Sequence, residues 1–380
     1  MSDYPVISWN EAGIKRSARW HSEKGMPAPR LVLAIDDRMT ADVAYRLVCE
    51  GTALLWKGDF QNARQLLQAL ARRIDKKRLA HKTTSSPTER FHRYRQTQSQ
   101  RARILGNLLI PFNADHSIPL RRAPDVRLEC LEAHGPRTEA YIASLCELQG
   151  LIGAFEWRKK GIALPPALGG RIHPHYGVFA PIRSEYVDLV INAPLPRQVT
   201  AQSVAFDIGT GTGILAAVLA RRGFQRIVAT DLDVRAINCA RENLTHLGIT
   251  TQVDLVQTNL FPEGQASLIV CNPPWIPARP SSPLEHAIFD PGSRMLWGFL
   301  HGLSLHLASE GEGWLILSDF AEHLGLRTRA ELLAAIDAAG LKVLSKSDIK
   351  PYHKRVADTS DPLHAARAAE LTSLWRLATK

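Results

Sequence analysis

From residue 200 onwards, short apolar runs alternate with amphipathic segments along the chain. Apolar segments with three- and four-residue spacing predict helices, while short runs rich in Val, Ile and Leu predict strands. Because strands alternate with helices, the pattern predicts an α/β domain with a mostly parallel sheet and helices on both faces. The predicted strands are 203–209, 226–231, 252–258, 267–271, 314–319, 341–346 and 373–378, and the helices are 213–222, 235–248, 294–308 and 329–340.

The first 160 residues carry a different pattern. Apolar residues spaced three or four apart predict helices within 40–80, at 89–109 and at 138–152, with a polar break and a helix cap in 83–88. We therefore expect a mostly helical domain over 1–160. The Gly- and Pro-rich segment 161–200 predicts a connector with short β elements, followed by a second domain over 201–380.

The positive charge lies almost entirely in the first third of the chain. The net formal charge is +10, and residues 1–130 carry all of it, with 23 Lys and Arg against 13 Asp and Glu. Residues 71–103 alone carry 11 basic residues and 2 acidic ones. Such a concentrated surplus predicts a polyanionic partner for the front domain.

Composition and cysteine usage limit the environment of the protein. No apolar stretch is long enough to span a bilayer, and the first residues lack the order of a signal peptide, so no membrane partner is expected. The five cysteines are scattered and never form a C-x-x-C pair. This pattern predicts neither a disulfide framework nor a zinc site, and it fits a reducing cytoplasm.

A glycine-rich loop follows the first strand of the second domain. The strand ends in Asp207, and the loop carries Gly209, Gly211 and Gly213. Glycines let the backbone approach a ligand closely, and the carboxylate of Asp207 suits an ammonium group better than a pyrophosphate. The second strand ends in Asp231, where an acid can accept hydrogen bonds from both hydroxyls of a ribose.

In combination, these motifs resemble those of class I S-adenosylmethionine-dependent methyltransferases over about residues 170–380. The resemblance implies a Rossmann-like seven-stranded sheet and S-adenosylmethionine as cofactor. It places the glycine loop with Asp207 under the methionine part of the cofactor and Asp231 on its ribose. Asn259, after the third strand, would meet the adenine; this is a departure, because many relatives have Asp there.

The sequence N-P-P-W follows the fourth predicted strand, at the same edge of the sheet. It resembles the signature of enzymes that methylate planar nitrogens, which are base amines or the glutamine side-chain amide. Such a nitrogen is a poor nucleophile, and two acceptors for its N–H groups would align its lone pair with the methyl group. The resemblance implies the Asn272 side chain and the Pro273 carbonyl as these acceptors, with Trp275 as a stacking platform. No metal is needed.

A second element, I-F-D-P-G-S-R-M-L-W at 288–297, is similar to one in release-factor glutamine methyltransferases. For Asp290 within it we expect a modest role as a cap of the helix that follows.

These observations leave several functions open. The leading hypothesis is an N-methyltransferase acting on a base amine in ribosomal or transfer RNA, with Phe91 and Tyr94 stacking on bases. A protein glutamine methyltransferase, a small-molecule methyltransferase and a binding protein without turnover are the alternatives. The arginines expected to bind RNA phosphates are Arg93, Arg95, Arg101 and Arg103.

Overall fold

The fold is described from a computed structural model over residues 5–78, 86–166, 168–182, 184–282, 285–352 and 356–380. The chain forms two compact units. The N-terminal unit comprises 1–85, 92–156 and 281–283, and the C-terminal unit comprises 86–91, 157–280 and 284–380. The predicted boundaries at residues 160 and 200 stay predictions.

The N-terminal unit contains a six-stranded sheet with the order β1-β2-β6-β5-β4-β3. Strands β3, β4 and β5 are parallel neighbours, whereas β1 with β2 and β5 with β6 are antiparallel. The strands are β1 Val6–Glu11, β2 Ile14–Trp20, β3 Val32–Ile35, β4 Ala53–Trp56, β5 Leu108–Phe112 and β6 Tyr141–Ser144. The helices are α1 Ala41–Cys49, α2 Phe60–Arg78, α3 Pro87–Gly106, α4 Arg127–His134 and α5 Leu145–Lys160, of which α3 begins and α5 ends in the C-terminal unit.

The prediction of a mostly helical front domain was therefore wrong. Its strands are only four to seven residues long, and β4 and β6 are buried along their whole length. A short buried strand shows no alternation of apolar and polar residues, so it cannot be told from part of a helix by its pattern. Residues 40–56 illustrate this, because α1 ends at Cys49, Gly51 turns the chain at a φ of 95°, and β4 follows.

The helix predicted after the polar break begins as expected. Ser86 and Glu89 form a capping box, in which Ser86 Oγ accepts from the Glu89 amide at 3.2 Å and Glu89 Oε2 accepts from the Ser86 amide at 3.1 Å. Residues 83–85 of the predicted break lie outside the described residues.

The C-terminal unit contains the predicted seven-stranded sheet, with the order β11-β10-β9-β12-β13-β15-β14. The first five strands in this order are parallel, and β15 is antiparallel to both β13 and β14. This confirms the Rossmann-like α/β fold. The strands are β9 Val204–Ile208, β10 Arg226–Asp231, β11 Val253–Gln257, β12 Ala266–Cys271, β13 Leu307–Ser318, β14 Leu341–Ile349 and β15 Thr372–Thr379.

Helices cover both faces of this sheet, as its buried central strands require. One face packs against α6 and α7 through Val187 and Leu215, and the other packs against α9 through Phe299 and Leu300. The helices are α6 Glu185–Asn192, α7 Ile214–Arg221, α8 Val234–His246, α9 Arg294–His306, α10 Phe320–His323, α11 Arg329–Ala338 and α12 His364–Ala369, with 3-10 turns at Thr250–Gln252 and Pro291–Ser293.

The predicted connector contains two very short strands, β7 Ile162–Ala163 and β8 Arg171–Ile172, which pair antiparallel. Among the residues that the structure describes, no helix is long and apolar enough to cross a membrane.

Candidate functional site

Three adjacent strands bring the predicted cofactor and catalytic residues to one edge of the C-terminal sheet. Ile208 on β9 pairs with Thr230 on β10 and with Cys271 on β12. Neighbouring strands lie about 4.8 Å apart, so the loops after these three parallel strands leave the sheet side by side. The carboxyl edge of a parallel sheet is where α/β proteins bind their ligands.

The glycine loop has a backbone that only glycine adopts without strain. Gly211 has a φ of 55°, and a Cβ added there would meet no atom within 4 Å, so its backbone is open to an approaching ligand. Gly213 has a φ of 81°, and a Cβ there would lie 3.3 Å from Ala240 on α8. Gly213 therefore allows close packing of the loop against α8. Gly209 shares the positive φ, at 74°.

Asp207 lies beneath this loop and is fully buried. Its Oδ2 accepts hydrogen bonds from Thr210 Oγ1 at 2.7 Å and from the Ala216 amide at 3.0 Å. Its Oδ1 is buried and has no hydrogen-bond partner among the described residues. Burial raises the pKa of Asp207 to about 7, against the lowering effect of the two donors. A buried acceptor without a donor is costly, and an ammonium group would satisfy it.

Asp231 ties the end of β10 to the glycine loop. Its Oδ2 accepts from the Gly211 amide at 3.0 Å, and its Oδ1 accepts from the Asp233 amide at 3.0 Å. Burial raises the pKa of Asp231. Each carboxylate oxygen has a second lone pair, so the side chain can hold the loop and still accept from two hydroxyl groups.

Asn259 is exposed in the loop after β11, which is the strand next to β10. The loop is attached to β10 by two hydrogen bonds, from Thr230 Oγ1 to the Leu260 carbonyl at 2.6 Å and from the Thr258 amide to the Asp231 carbonyl at 3.1 Å. Asn259 is therefore held at the same sheet edge as Asp231, with its side chain open to solvent.

The N-P-P-W loop begins where β12 ends, and its Asn and Trp are joined by a hydrogen bond. Trp275 Nε1 donates to Asn272 Oδ1 at 2.8 Å. An indole N–H can only donate, so this contact assigns the oxygen of the Asn272 amide and fixes its direction. Proline restricts its own φ and pushes the residue before it to extended conformations, so Pro273 and Pro274 stiffen the loop. Pro273 itself is buried.

The segment around Asp290 is joined to the end of the N-P-P-W loop by backbone contacts. Ile276 forms an isolated parallel bridge with Phe289, and the Asp290 amide donates to the Ile276 carbonyl at 2.9 Å. Asp290 Oδ2 accepts from the Met295 amide at 2.7 Å in the first turn of α9. This confirms the predicted capping role. Burial also raises the pKa of Asp290.

Sequence reasoning missed two side chains that shape the loops. Thr210 is 5% exposed and donates a hydrogen bond to the Asp207 carboxylate. A hydroxyl three residues after an acid was the feature of the sequence that could have predicted this bond. Met295 packs against Gly209, where an added Cβ would lie 2.6 Å from the methionine Cε. Nothing in the sequence links Met295 to Gly209, because only the fold brings α9 to the glycine loop.

The four arginines predicted to bind phosphates differ in their surroundings. Arg93 and Arg103 are exposed on α3. Arg101 forms an ion pair with Asp75 at 3.0 Å, and Arg95 Nη2 donates to Ser281 Oγ at 2.8 Å within the N-terminal unit. The structure contradicts the predicted stacking of Phe91 on bases, because the ring is only 2% exposed.

Part of the chain matches known proteins. Residues 191–279, which include Asp207, Asp231 and Asn272, match the family model of ribosomal protein L11 methyltransferase (PrmA). The chain is 40% identical over 80 residues to the ribosomal protein L11 methyltransferase of Pelotomaculum thermopropionicum and 41% identical over 78 residues to that of Symbiobacterium thermophilum. Each match covers 20% of this chain and 26% of the relative, so the chain spans about a quarter of the curated relatives' length.

A solved structure of a ribosomal protein L11 methylase from Lactobacillus delbrueckii subsp. bulgaricus has a TM-score of 0.36 and 18% sequence identity, covering 52% of this chain and 79% of that one. The family match lies within the C-terminal unit and spans its strands β9, β10, β11 and β12.

Proposed function

We propose that the protein is an enzyme that transfers a methyl group from S-adenosylmethionine to a planar nitrogen. The hydrogen bond from Trp275 Nε1 to Asn272 Oδ1 carries the proposal. It holds an amide oxygen in a defined direction at the end of β12, beside the loops that end β9 and β10. An oxygen fixed in this way can accept an N–H of the substrate without reorganisation during the reaction.

The residues at the sheet edge fit the cofactor. The buried Oδ1 of Asp207, which no described donor satisfies, suits the ammonium of the methionine part. The open backbone at Gly211 leaves room for the ligand, while Asp231 and Asn259 offer acceptors for the ribose and the adenine. When bound, S-adenosylmethionine supplies an electrophilic methyl group. No metal has a role in this proposal.

The protein residues act by alignment. Asn272 Oδ1 and the Pro273 carbonyl accept the two N–H groups of the substrate, which turns the nitrogen lone pair out of conjugation and towards the methyl group. Trp275 maintains the direction of Asn272 and can also stack on a flat substrate. Positioning of this kind accounts for most of the rate enhancement, so a general base is not required.

We expect Trp275→Phe to lower kcat about tenfold, because the phenyl ring still stacks but no longer donates the bond of about 1–1.5 kcal/mol to Asn272. The measurement is methyl transfer from radiolabelled S-adenosylmethionine at saturation. The matched control is Trp297→Phe, the same change at a tryptophan on α9 outside the loop. Equal rates for the two variants would show that the indole N–H does not orient the amide.

For the substrate we propose, first, an exocyclic base amine in ribosomal or transfer RNA. The supporting observation is the charge of +10 confined to residues 1–130, with Arg93 and Arg103 exposed on α3. The second candidate is a glutamine amide in a protein, which the matched relatives favour because their name is that of a ribosomal protein methyltransferase. Reaction in the cytoplasm fits both, since all five cysteines are free thiols.

One experiment separates these substrates. Extract from cells that lack the gene is incubated with the purified protein and radiolabelled S-adenosylmethionine, and is then digested with either ribonuclease or protease. We expect the label to be lost to ribonuclease and kept after protease. Loss to protease alone would establish the protein substrate, and label that is not in a polymer would overturn both.

Binding of the same RNA tests whether the exposed arginines of α3 contact its phosphates. Arg93→Gln combined with Arg103→Gln is expected to weaken RNA binding and to lower the salt dependence by about one unit of slope for each lost phosphate contact. The matched control is Arg127→Gln, an arginine of the same unit that lies on α4 instead of α3. Unchanged affinity and slope would remove α3 from the proposed interface.

A further inference from the structure

We propose that the N-terminal unit binds a zinc-type divalent metal ion through His116, Cys130 and His134. One ligand atom from each residue lies within 4.8 Å of the other two. The site belongs to a part of the chain that has no role in the proposed methyl transfer. It was not expected from the sequence, where the cysteines form no metal-binding pairs.

Helix α4 supplies two of the three ligands. Cys130 and His134 are four residues apart on this helix, and residues at that spacing lie on the same face, one turn apart. Cys130 is fully buried. The helix ends at His134, and Gly135 follows with a φ of 68°. A cysteine followed by a histidine four residues later therefore presents a sulfur and a ring nitrogen in one direction.

The third ligand is held in a strained backbone conformation. His116 follows β5 with a φ of 66°, a left-handed conformation that is uncommon for residues other than glycine, and its side chain is 2% exposed. Its Nε2 lies 2.9 Å from the Gly135 carbonyl, to which it donates. The proton is then on Nε2, and Nδ1 accepts from the Tyr141 hydroxyl, whose Oη lies 2.9 Å away and which a metal ion would replace. Strain of this kind persists where the surrounding structure requires it.

His134 has a nitrogen suited to a metal. Its side chain is 8% exposed, and its Nδ1 is buried without a hydrogen-bond partner among the described residues. Its Nε2 lies 3.8 Å from a carboxylate oxygen of Glu23. Histidines that bind metals typically turn their second nitrogen towards a carbonyl or a carboxylate. His116 faces the Gly135 carbonyl in this way, and His134 faces Glu23.

A neighbouring set of side chains, His21, Glu23 and His134, is equally compact but lies against a cationic side chain. Arg137 Nη2 lies 3.1 Å from His21 Nδ1, and a guanidinium can only donate. Nδ1 of the neutral ring is therefore the acceptor, and Nε2 lies 3.2 Å from a carboxylate oxygen of Glu23. A metal ion on His21 would have to displace this cationic guanidinium, whereas on His116 it would replace a neutral hydroxyl, so the geometry favours the set that contains Cys130.

The chemistry of the donors selects the ion. Two imidazoles and a thiolate suit Zn²⁺ and Co²⁺, whereas Mg²⁺ and Ca²⁺ prefer oxygen ligands. Binding displaces the thiol proton of Cys130 to solvent, and one Cys–metal and two His–metal bonds form. Because binding releases this proton, affinity should increase with pH.

The test is a Co²⁺ titration of the full-length protein after treatment with a chelator. We expect one equivalent to produce a thiolate-to-cobalt charge-transfer band, which one equivalent of Zn²⁺ removes. Cys130→Ser is expected to lose the band and to lower the affinity by about 100-fold or more, since loss of a residue that merely supports a ligand already costs about 10–100-fold. The matched control, Cys146→Ser, changes a half-buried cysteine of the same unit outside the site and is expected to retain the band.

The wild-type protein alone can overturn the proposal. If it gives no charge-transfer band, or if Zn²⁺ raises its thermal melting temperature no more than Mg²⁺ does, no such site exists. A band that survives in Cys130→Ser and disappears in Cys146→Ser would equally refute this ligand set. If Cys130→Ser does not fold, His134→Gln takes its place and is expected to weaken the band while the far-ultraviolet circular dichroism stays that of the wild type.

Discussion

Asn272→Ala is expected to lower kcat for methyl transfer by about 10²- to 10³-fold, the effect of removing one preorganised hydrogen-bonding group from a transition state. The variant removes the Oδ1 that Trp275 holds at 2.8 Å. Because this oxygen touches the substrate nitrogen and not the cofactor in our proposal, binding of S-adenosylmethionine should change little. Both quantities can be measured, kcat with radiolabelled cofactor and affinity by calorimetry.

The matched control is Asn238→Ala, which removes an exposed amide from α8 and should leave kcat unaffected. Asn272→Asp adds a second test, because the carboxylate keeps an oxygen acceptor but adds a charge beside the electrophilic methyl group. A wild-type rate in Asn272→Ala would show that the transferred group goes to a nitrogen that needs no such acceptor.

Asp207→Asn is expected to weaken the binding of S-adenosylmethionine by about 100-fold and to stabilise the protein without ligand at alkaline pH. The Asn oxygen can still accept from Thr210 and from the Ala216 amide, which lie 2.7 and 3.0 Å from Oδ2. The Asn NH₂ group replaces the buried Oδ1, where it would repel an ammonium. Loss of a hydrogen bond to a charged group, with a mismatched donor left in its place, costs about 3 kcal/mol.

The effect on stability follows from the pKa of Asp207, which burial raises from 3.8 to about 7. Between these two pH values the folded protein holds a proton that the unfolded chain has released, so the stability of the wild type falls as the pH rises through this window. The free energy of unfolding that the wild type loses across this window is at most about 4 kcal/mol. Asn does not ionise, so the variant does not lose it.

Urea unfolding at pH 4 and pH 8 measures this difference. We expect the two proteins to have similar free energies of unfolding at pH 4 and the variant to be more stable by about 1–3 kcal/mol at pH 8. The matched control, Asp254→Asn, neutralises an exposed acid on β11 and should show no such pH-dependent gain. A variant that is less stable than the wild type at both pH values would mean that Asp207 is needed as a charged acceptor in the fold itself.

The seven-stranded sheet was predictable because local pattern and tertiary role agree there. Strand β9 is a run of apolar residues that ends in an acid and a glycine loop, and the structure bounds it at Val204–Ile208 against the predicted 203–209. The same agreement extends to β15, Thr372–Thr379, which is antiparallel to its neighbours. Buried parallel strands that alternate with amphipathic helices leave few other arrangements.

The six-stranded sheet of the N-terminal unit was not predictable in the same way. Strand β4 has four residues, all buried, and β6 likewise. A run of that length satisfies helix and strand patterns equally well. Whether Leu54 extends a helix or pairs with Leu108 depends on which segments are neighbours in space, and no local pattern contains that information.

The order of the motifs along the chain was enough to predict the fold of residues 201–380 and the edge of the sheet to which Asp207, Asp231 and Asn272 belong. The direction of individual atoms was not predictable from the sequence and came from the folded structure. That structure placed Trp275 Nε1 on Asn272 Oδ1, left Asp207 Oδ1 without a described donor, and brought His116 to Cys130 and His134. Periodicity determines which face of an element is buried, whereas hydrogen bonds and metal ligands depend on contacts between residues that are distant in the chain.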